Sequence, residues 1–440
     1  MHDTLRCLGV DGSSGRPLDP IPADRARRWA KKILGLDRPP RYGIASSNLR
    51  SAGWGVVFPE GVHANIREAL QPLLAKRRRQ ARSKYKELTY LRGESSADFR
   101  NRLRSGHGRV EPRQVPWYLL LVGNPEHLPF SFELDLDVPH AVGRLAFDNV
   151  DDLAAYAERV ARLDDRPGKR RPRSVMFAPT HPDDLATAIC TEHLARPMAR
   201  RLAERSSCCK TVIGGEATRA ELLDLFGLSP DLFFIVGHAV GYAKGHRRQR
   251  SRQGAILCAD WPGPVQWTKG VPPEMTVAGK DLPQGAGAGM AVLFGCHTAG
   301  TPTIDRYDSE DLEAAWELTP QPFVAALAQR LLGREGDCAA VLGHVGRAFE
   351  ASCFWRGVRQ DGPFEDAIDA LLDGRRLGEA LDGFGQRFAD LAVTWAQLKI
   401  EPGESRLDPL DLWLAFHDAR SWSLLGDPAV RLPIASLHDP

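Results

Sequence analysis

Residues 231–238 read DLFFIVGH and residues 290–297 read MAVLFGCH, and the architecture predicted for the chain follows from these two runs. Each run holds five consecutive apolar residues, which is typical of a β-strand buried on both faces. Each then reaches a glycine that is followed by a reactive side chain, His238 in the first run and Cys296 in the second. Because ligands and chemistry collect at the carboxyl edge of open α/β sheets, we expect these two side chains to lie together there.

The composition is that of a large globular protein. Of the 440 residues, 43% are apolar and 26% are charged, so neither a disordered class nor a membrane class is indicated. This length predicts two or three domains. Lysine and arginine number 58 against 56 acidic residues, and the net charge of +2 lacks the basic excess of a dedicated nucleic-acid-binding protein. No run of 18 apolar residues occurs. We therefore expect neither a nucleic-acid partner nor a membrane partner.

The eight cysteines are scattered and form no CxxC pair, so neither a zinc ribbon nor a disulfide framework is indicated. The first residues contain an early acid and no apolar core, so no secretory signal is predicted. A reducing, cytoplasmic setting fits these observations. We expect no cofactor and no metal, since a metal role for Cys296, His297 and His238 would lack a fourth ligand.

Strand and helix patterns alternate along the chain, which predicts an α/β fold with a mostly parallel sheet. Residues 1–38 form an N-terminal arm rich in turn signals. Residues 39–168 form a first α/β unit without a Cys-His pair at its strand ends, and we interpret it as a scaffold. Residues 169–440 form the catalytic unit. The boundary is placed in 166–173, where proline, glycine and like charges are typical of a linker.

The two strand ends suit acyl transfer. A cysteine attacks a peptide carbonyl as the thiolate, and a free thiol is only a few per cent ionised at neutral pH, so an imidazole must take its proton. The same imidazole can protonate the leaving amine. The backbone amides of Cys296 and Ala239 are placed to donate to the oxyanion. The residues predict a Cys-His dyad, with a buried structural cysteine and a satisfied histidine as the alternative.

These strand ends also resemble those of the caspase-like peptidases, the group that contains caspases, metacaspases, gingipains, separase and the bacterial CHAT domains. Three further segments are similar to gingipain-like and CHAT-type segments: 117–123, 141–145 and 425–432. The resemblance covers about residues 115–435. It implies a caspase-like three-layer αβα fold with two caspase-like subdomains, in which His238 is the general base and acid and Cys296 is the nucleophile.

The function that this resemblance implies is a cysteine endopeptidase that cleaves protein or peptide substrates, regulated by an activating protein or protease, with a dedicated partner in bacterial defence or signalling. A catalytically inactive caspase-like module that binds protein is the alternative. An unrelated α/β hydrolase is disfavoured because no GxSxG or phosphate-loop motif occurs. The chain departs from relatives at Ala239, where many have glycine, and at Phe294, where metacaspases have aspartate. Specificity for arginine or lysine therefore does not follow.

Several other residues are candidates for substrate binding. Asp183 and Asp184 follow the first strand of the catalytic unit, where gingipain-like enzymes keep a pocket acid, although a helix cap is the alternative. Asp305 and Asp308 follow the cysteine. His344 repeats the pattern of strand, glycine and histidine and is predicted to line the substrate cleft, with a core histidine as the alternative.

Two basic runs and one histidine have no predicted catalytic role. Residues 76–79 close a helix predicted over 60–82 and are interpreted as a solvated helix end. The loop 244–252 has three interpretations: a solvated surface, an exosite for an acidic partner, or a site cut during activation. His297 is interpreted as a loop residue.

Overall fold

Ten segments of the chain pair into one β-sheet in the computed structural model, which describes residues 4–5, 21–22, 44–106, 110–163, 171–305, 316–400 and 408–434. In chain order the strands of this sheet are β1 (Trp54–Pro59), β2 (Tyr85–Tyr90), β3 (Tyr118–Val122), β4 (Ala141–Leu145), β5 (Arg173–Ala178), β6 (Cys208–Ile213), β7 (Leu232–Val236), β8 (Met290–Phe294), β9 (Ala340–His344) and β10 (Trp422–Gly426).

The order across the sheet is β2-β1-β3-β4-β10-β9-β8-β7-β5-β6. The first four strands pair in parallel with one another, and so do the last five. Strand β10 joins the two sets: it runs antiparallel to β9 and meets β4 through one registered pair, Leu425 with Arg144. The mostly parallel α/β sheet predicted from the sequence is confirmed.

The burial of each strand matches its sequence. Every residue of β3, β7 and β8 is buried, as expected for parallel strands that are covered on both faces. Strand β2 reads YKELTY and buries only two of its six residues, which is typical of a strand at the margin of a sheet. Its alternating pattern gives a weaker signal than the continuous apolar runs.

The helices flank the sheet. They are α1 (Leu49–Ala52), α2 (Ala64–Ala69), α3 (Gln71–Ala81), α4 (Ser96–Arg102), α5 (Phe130–Leu136), α6 (Val150–Leu163), α7 (Leu185–Cys190), α8 (Arg196–Arg205), α9 (Arg219–Gly227), α10 (Gln249–Arg252), α11 (Ala326–Leu332), α12 (Gly362–Leu372), α13 (Leu377–Ala380), α14 (Asp382–Ile400) and α15 (Pro409–Arg420). One π-helical turn, Thr191–Ala195, joins α7 to α8.

Short elements complete the described part of the chain. Two-residue strands form five antiparallel ladders: Thr4–Leu5 with Ile21–Pro22, Ile256–Leu257 with Thr276–Val277, Gly300–Thr301 with Phe323–Val324, Ile304–Asp305 with Trp316–Glu317, and Phe354–Trp355 with Val358–Arg359. Single 3-10 turns lie at Arg82–Lys84, Gly214–Glu216, Pro273–Met275, Gly279–Asp281 and Glu350–Ser352.

A buried carboxylate ties the first strands to the last turn. Asp427 accepts a hydrogen bond from Nε of Arg77 at 2.7 Å and another from the indole of Trp54 at 2.9 Å. Its own amide donates to the hydroxyl of Tyr156 at 2.7 Å. Arg77 is fully buried and Lys76 is also buried, so the prediction that the basic run 76–79 is a solvated helix end is wrong for these two residues.

The largest core cluster draws residues from Ile44 through Ile434, on both sides of the predicted domain boundary. A second cluster packs on the other side of β1 and β3, and a third lies between α14 and α15. Residues 164–170, where the boundary was placed, lie outside the described residues, as does most of the arm 1–38. The division into domains therefore stays a prediction. Within the described residues, no helix combines the length and apolarity needed to cross a bilayer.

Candidate active site

Strands β7 and β8 are parallel neighbours in the middle of the sheet. Their register pairs Leu232 with Met290 and continues to Val236 with Phe294. His238 and Cys296 each stand two residues beyond that last pair, so both lie at the same edge of the sheet. Both also form part of the wall of one cavity of about 60 Å³.

The glycines that precede these residues permit a close approach of the two strand ends. A Cβ atom at Gly295 would stand 2.7 Å from the carbonyl oxygen of Gly237, and a Cβ atom at Gly237 would stand 3.2 Å from Pro179. Neither glycine has a positive φ. The left-handed conformation falls instead on His297, with φ of 61°. The glycine before each of these two residues is therefore explained by crowding at the sheet edge rather than by a positive φ.

The thiol of Cys296 is held against the backbone of Ala348. The amide of Ala348 donates to the sulfur at 3.4 Å, and the carbonyl of Ala348 lies 3.7 Å from it. Among the described residues, the thiol makes no hydrogen bond with His238. Burial raises the pKa of Cys296, because a thiolate loses solvation away from water. The thiol is consequently protonated in this state.

His238 is bonded to a carboxylate from the neighbouring strand end. Its Nε2 lies 2.8 Å from Oδ2 of Asp184, which also accepts from the hydroxyl of Thr187 at 2.5 Å and caps α7 through the Thr187 amide. Burial by itself would raise the pKa of Asp184, but the hydrogen bonds from His238 and Thr187 outweigh it and lower the pKa below its usual range. An ionised carboxylate only accepts, so Nε2 carries the proton and Nδ1 is the basic nitrogen.

The two acids predicted to bind substrate therefore have different surroundings. Asp183 is exposed and has a positive φ of 58°. Asp184 contacts His238, and this role was not identified from the sequence. The sequence shows only that Asp184 follows the run that forms β5. The structure adds that β5 lies beside β7. Their roles in substrate binding stay predictions.

Two aromatic side chains beside His238 were also missed. The ring of His181 lies parallel to that of His238, with centroids 6.0 Å apart, and Trp261 meets both rings edge-on. Nδ1 of His181 bonds the carbonyl of Trp261 at 3.0 Å, and burial lowers the pKa of His181. These rings confine the imidazole of His238. Trp261 stands in the run WPGP at residues 261–264, a pattern that predicts a turn and does not indicate a contact with His238.

The two amides predicted to bind an oxyanion are unoccupied donors. Neither the Ala239 amide nor the Cys296 amide donates a hydrogen bond to another group in the described part of the chain. The amide of Gly237, by contrast, donates to the carbonyl of Phe294. A Cβ atom at Gly295 would stand 3.5 Å from the Ala239 nitrogen, so the amide of Ala239 lies close to the residue that precedes Cys296. The role of these two amides as an oxyanion hole stays a prediction.

His344 lies in the core. It is 0% exposed, its Nε2 bonds the carbonyl of Asp418 at 3.0 Å, and its ring meets Trp422 edge-on. This position fits the core alternative rather than a place on the cleft wall. Oδ1 of Asp418 accepts from the amide of Phe349 at 2.9 Å, so the same cluster supports the loop that carries Ala348.

The remaining candidates have partners of their own. Asp305 pairs with Arg347 at 2.8 Å, and Asp308 lies outside the described residues. His297 is buried, and burial lowers its pKa to about 4. In the loop 244–252, Lys244 pairs with Glu317 and Arg252 pairs with Asp281. Within the described residues, no group of three or more histidine, cysteine or acidic side chains is arranged to hold a metal ion.

Comparisons with known proteins support the fold. No family model matches the chain, and no curated protein matches it. The crystal structure of the Arg-specific cysteine proteinase gingipain R matches with a TM-score of 0.51 and 12% identity, over 87% of this chain and 78% of that chain. A complex of the pro- and mature domains of Porphyromonas gingivalis RgpB matches with a TM-score of 0.48 and 12% identity, over 86% and 79%. At this identity the likeness shows the caspase-like gingipain fold alone.

Proposed function

We propose that the protein is a cysteine endopeptidase in which Cys296 is the nucleophile, His238 is the general base and acid, and Asp184 orients His238. The observation that carries this proposal is the meeting of three groups at one sheet edge: a thiol and an imidazole on neighbouring strands, and an ionised carboxylate 2.8 Å from the imidazole. The fold shared with gingipain R, a cysteine proteinase, supports the same reaction class.

The first half of the reaction forms a thioester. Sulfur of Cys296 bonds to the carbonyl carbon of the substrate while Nδ1 of His238 takes the thiol proton. The carbonyl oxygen becomes negative and accepts hydrogen bonds from the amides of Ala239 and Cys296. The carbon–nitrogen bond then breaks, and the amine leaves with the proton held by His238. Asp184 stabilises the imidazolium while it carries that proton.

The second half releases the acid. His238 takes a proton from water, the resulting hydroxide bonds to the thioester carbon, and the carbon–sulfur bond breaks. The sulfur recovers the proton from His238. Burial raises the pKa of Cys296, and its sulfur is bonded to Ala348, so the attack requires the sulfur to turn towards the imidazole that takes its proton.

The remaining parts of the proposal concern the location, activation and substrate of the enzyme. A cytoplasmic location, an activating protein or protease, and a dedicated protein substrate in bacterial defence or signalling are expected from the family resemblance, and that resemblance alone supports them. The raised pKa of the thiol is compatible with an enzyme that is inactive at rest.

An acyloxymethyl-ketone peptide tests the dyad by forming a bond to an activated thiol. We expect labelling of the unmodified protein and no labelling of Cys296→Ala or His238→Ala. Cys208→Ala is the matched control, because Cys208 is an exposed thiol far along the chain from both residues, and its replacement should leave labelling intact. Equal labelling of the unmodified protein and His238→Ala would contradict a working dyad.

A catalytically inactive binding module is the second candidate. It is favoured by one observation: the neutral thiol is bonded to Ala348 and not to the imidazole. This candidate predicts that the ketone does not label Cys296, even when peptides or lysate proteins are added, although a substrate-like peptide still binds the folded protein.

A further inference from the structure

The cavity beside the thiol is the place where a substrate side chain must fit. In the proposed reaction the sulfur bonds to the carbonyl carbon of the peptide bond that is cleaved. The side chain of the residue that supplies this carbonyl is attached to the adjacent Cα atom. It must therefore enter a space that borders the nucleophile. The cavity of about 60 Å³ has both Cys296 and His238 in its wall. Two larger cavities, of about 260 Å³ and 430 Å³, contain neither residue.

The size of this Cys296 cavity limits its occupant. A water-sized group needs about 10–15 Å³ on this measure, so 60 Å³ admits on the order of four to six heavy atoms. The side chains of leucine and methionine have four. An arginine side chain has seven, so part of it would extend out of the space.

The wall of the cavity is apolar. Ala186, Cys190, Phe294, Ala348 and Phe349 contribute side chains without charge. The thiol of Cys190 is satisfied within the protein, because its sulfur lies 2.9 Å from the sulfur of Cys353 in a contact of hydrogen-bonding distance. A buried aliphatic side chain meets compatible surfaces here.

The lining residues include no buried carboxylate that could neutralise a cation held inside the cavity. Thr187 in the wall donates its hydroxyl to Asp184, and Asp184 is occupied by that hydroxyl and by His238. Glu350 is the acid among the lining residues, and it is exposed to solvent. A guanidinium or ammonium group in the cavity would lose its hydration without a buried counter-charge, which is strongly unfavourable.

We propose that the enzyme cleaves after an uncharged aliphatic residue of about four side-chain heavy atoms, leucine or methionine. This inference rests on the proposed function, because a residue is selected at this position only if Cys296 attacks the adjoining carbonyl. In this proposal the Cys296 cavity selects the residue before the cleaved bond, and Asp183 and Asp184 do not contact that residue.

Fluorogenic tetrapeptides that differ only in the residue before the cleaved bond test the inference. We expect kcat/KM for leucine and methionine to exceed that for arginine, lysine and aspartate by about 100-fold or more, given the cost of burying an unpaired charge. The highest kcat/KM for arginine or lysine would overturn the inference and leave the peptidase proposal intact. Failure to cleave any peptide, together with failure of His238-dependent labelling of Cys296, would overturn both.

Ala186→Leu tests the position of the cavity. The residue lies on α7 in the cavity wall, and leucine is a good helix former, so the added side chain should fill the space without disturbing the helix. We expect kcat/KM for the leucine peptide to fall roughly 10- to 200-fold while the alanine peptide loses far less. Ala188→Leu, on the exposed side of the same helix, is the matched control and should change neither. Equal losses for leucine and alanine peptides in Ala186→Leu would overturn the assignment.

Discussion

Asp184 binds two partners with one carboxylate: it caps α7 through Thr187 and it fixes the imidazole of His238. Asparagine at this position can still cap the helix. The same oxygen accepts from Thr187 and from Nε2 of His238, so both bonds can also be retained. Its amide is neutral, however, and no longer stabilises the imidazolium that forms when His238 takes the thiol proton. The two tasks of the residue can therefore be separated by a single substitution.

For Asp184→Asn we expect kcat to fall by about 100-fold or more, since a positioned base contributes roughly 10²–10⁴-fold. The free energy of unfolding should change by less than about 1 kcal/mol, because the cap is retained. Peptide cleavage rates and urea unfolding curves measure the two quantities.

Asp183→Asn is the matched control for that substitution. Asp183 is exposed and has a positive φ, which asparagine tolerates, so kcat and the free energy of unfolding should not change. A role of Asp183 in substrate binding would change KM instead. A loss of the same size in both variants would show that charge near the helix start, rather than the bond to His238, is responsible.

At the scale of single residues, the sequence placed His238 and Cys296 at one sheet edge and did not identify their surroundings. His238 and Cys296 each follow an apolar run and a glycine, and such a local pattern is visible without coordinates. Asp184, His181 and Trp261 reach His238 only because β5 lies beside β7 and because the 261 turn folds back on the sheet. These contacts depend on the order of strands, which the chain does not state locally.

Among the elements, β1, α3 and α6 are joined to the turn after β10 by the buried pair of Arg77 and Asp427. Asp427→Asn keeps an oxygen for Trp54 and removes the counter-charge of Arg77. Breaking a buried ion pair in this way costs about 3–5 kcal/mol, so we expect a loss of that order in the free energy of unfolding. Urea denaturation followed by tryptophan fluorescence measures it.

Two further variants separate charge from packing. Arg77→Met combined with Asp427→Asn should be more stable than Asp427→Asn alone, because no unpaired charge remains buried. Arg78→Met is the control: the Arg78 side chain is 62% exposed and pairs with Glu87, so its loss should cost no more than about 1 kcal/mol. A double variant that is less stable than the single one would argue against an unpaired charge as the cause.

Some elements followed from local pattern and others did not. Strands β7 and β8 follow from continuous apolar runs and match their predictions closely. The helix predicted over 60–82 is instead α2 and α3, which are separated at Leu70 with a proline in the first turn of α3. Strand β2 was missed because half of its residues are polar.

For the molecule as a whole, buried histidines set a dependence of stability on pH. Burial lowers the pKa of His140 to about 3 and that of His297 to about 4, against about 6.5 in an unfolded chain. Between pH 6.5 and pH 4 the unfolded chain binds protons at these rings and the folded chain does not. The free energy of unfolding should therefore fall as the pH falls, by up to about 1.4 kcal/mol per pH unit for each ring.

Urea unfolding at pH 7, 6 and 5 measures this slope. His140→Asn should reduce it, since the asparagine amide can replace the bond from Nδ1 to the carbonyl of Pro116 without adding a titratable group. His127→Asn, at an exposed position, is the control and should leave the slope unchanged. A slope that is the same in all three proteins would exclude His140 as its source.

The fold class could be predicted at this scale, because an alternation of apolar strands and amphipathic helices has few stable solutions. The order of the strands within the sheet could not be predicted. Nothing in the residues of β10 specifies that they enter between β4 and β9, since that choice depends on pairings far apart in the chain. The division at 168–169 was drawn from linker composition, whereas the sheet and the largest core cluster run through both parts.

The position of β10 between β4 and β9 has a consequence for synthesis of the protein. Strand β10 is the last of the ten to leave the ribosome, yet it stands between β4 and β9. Until residues 422–426 have emerged, the nascent chain can form only two separate sheets, each with an open margin of unpaired backbone groups that is able to recruit other chains. A chaperone that shields these margins during translation would therefore raise the yield of folded protein more than one that acts after release.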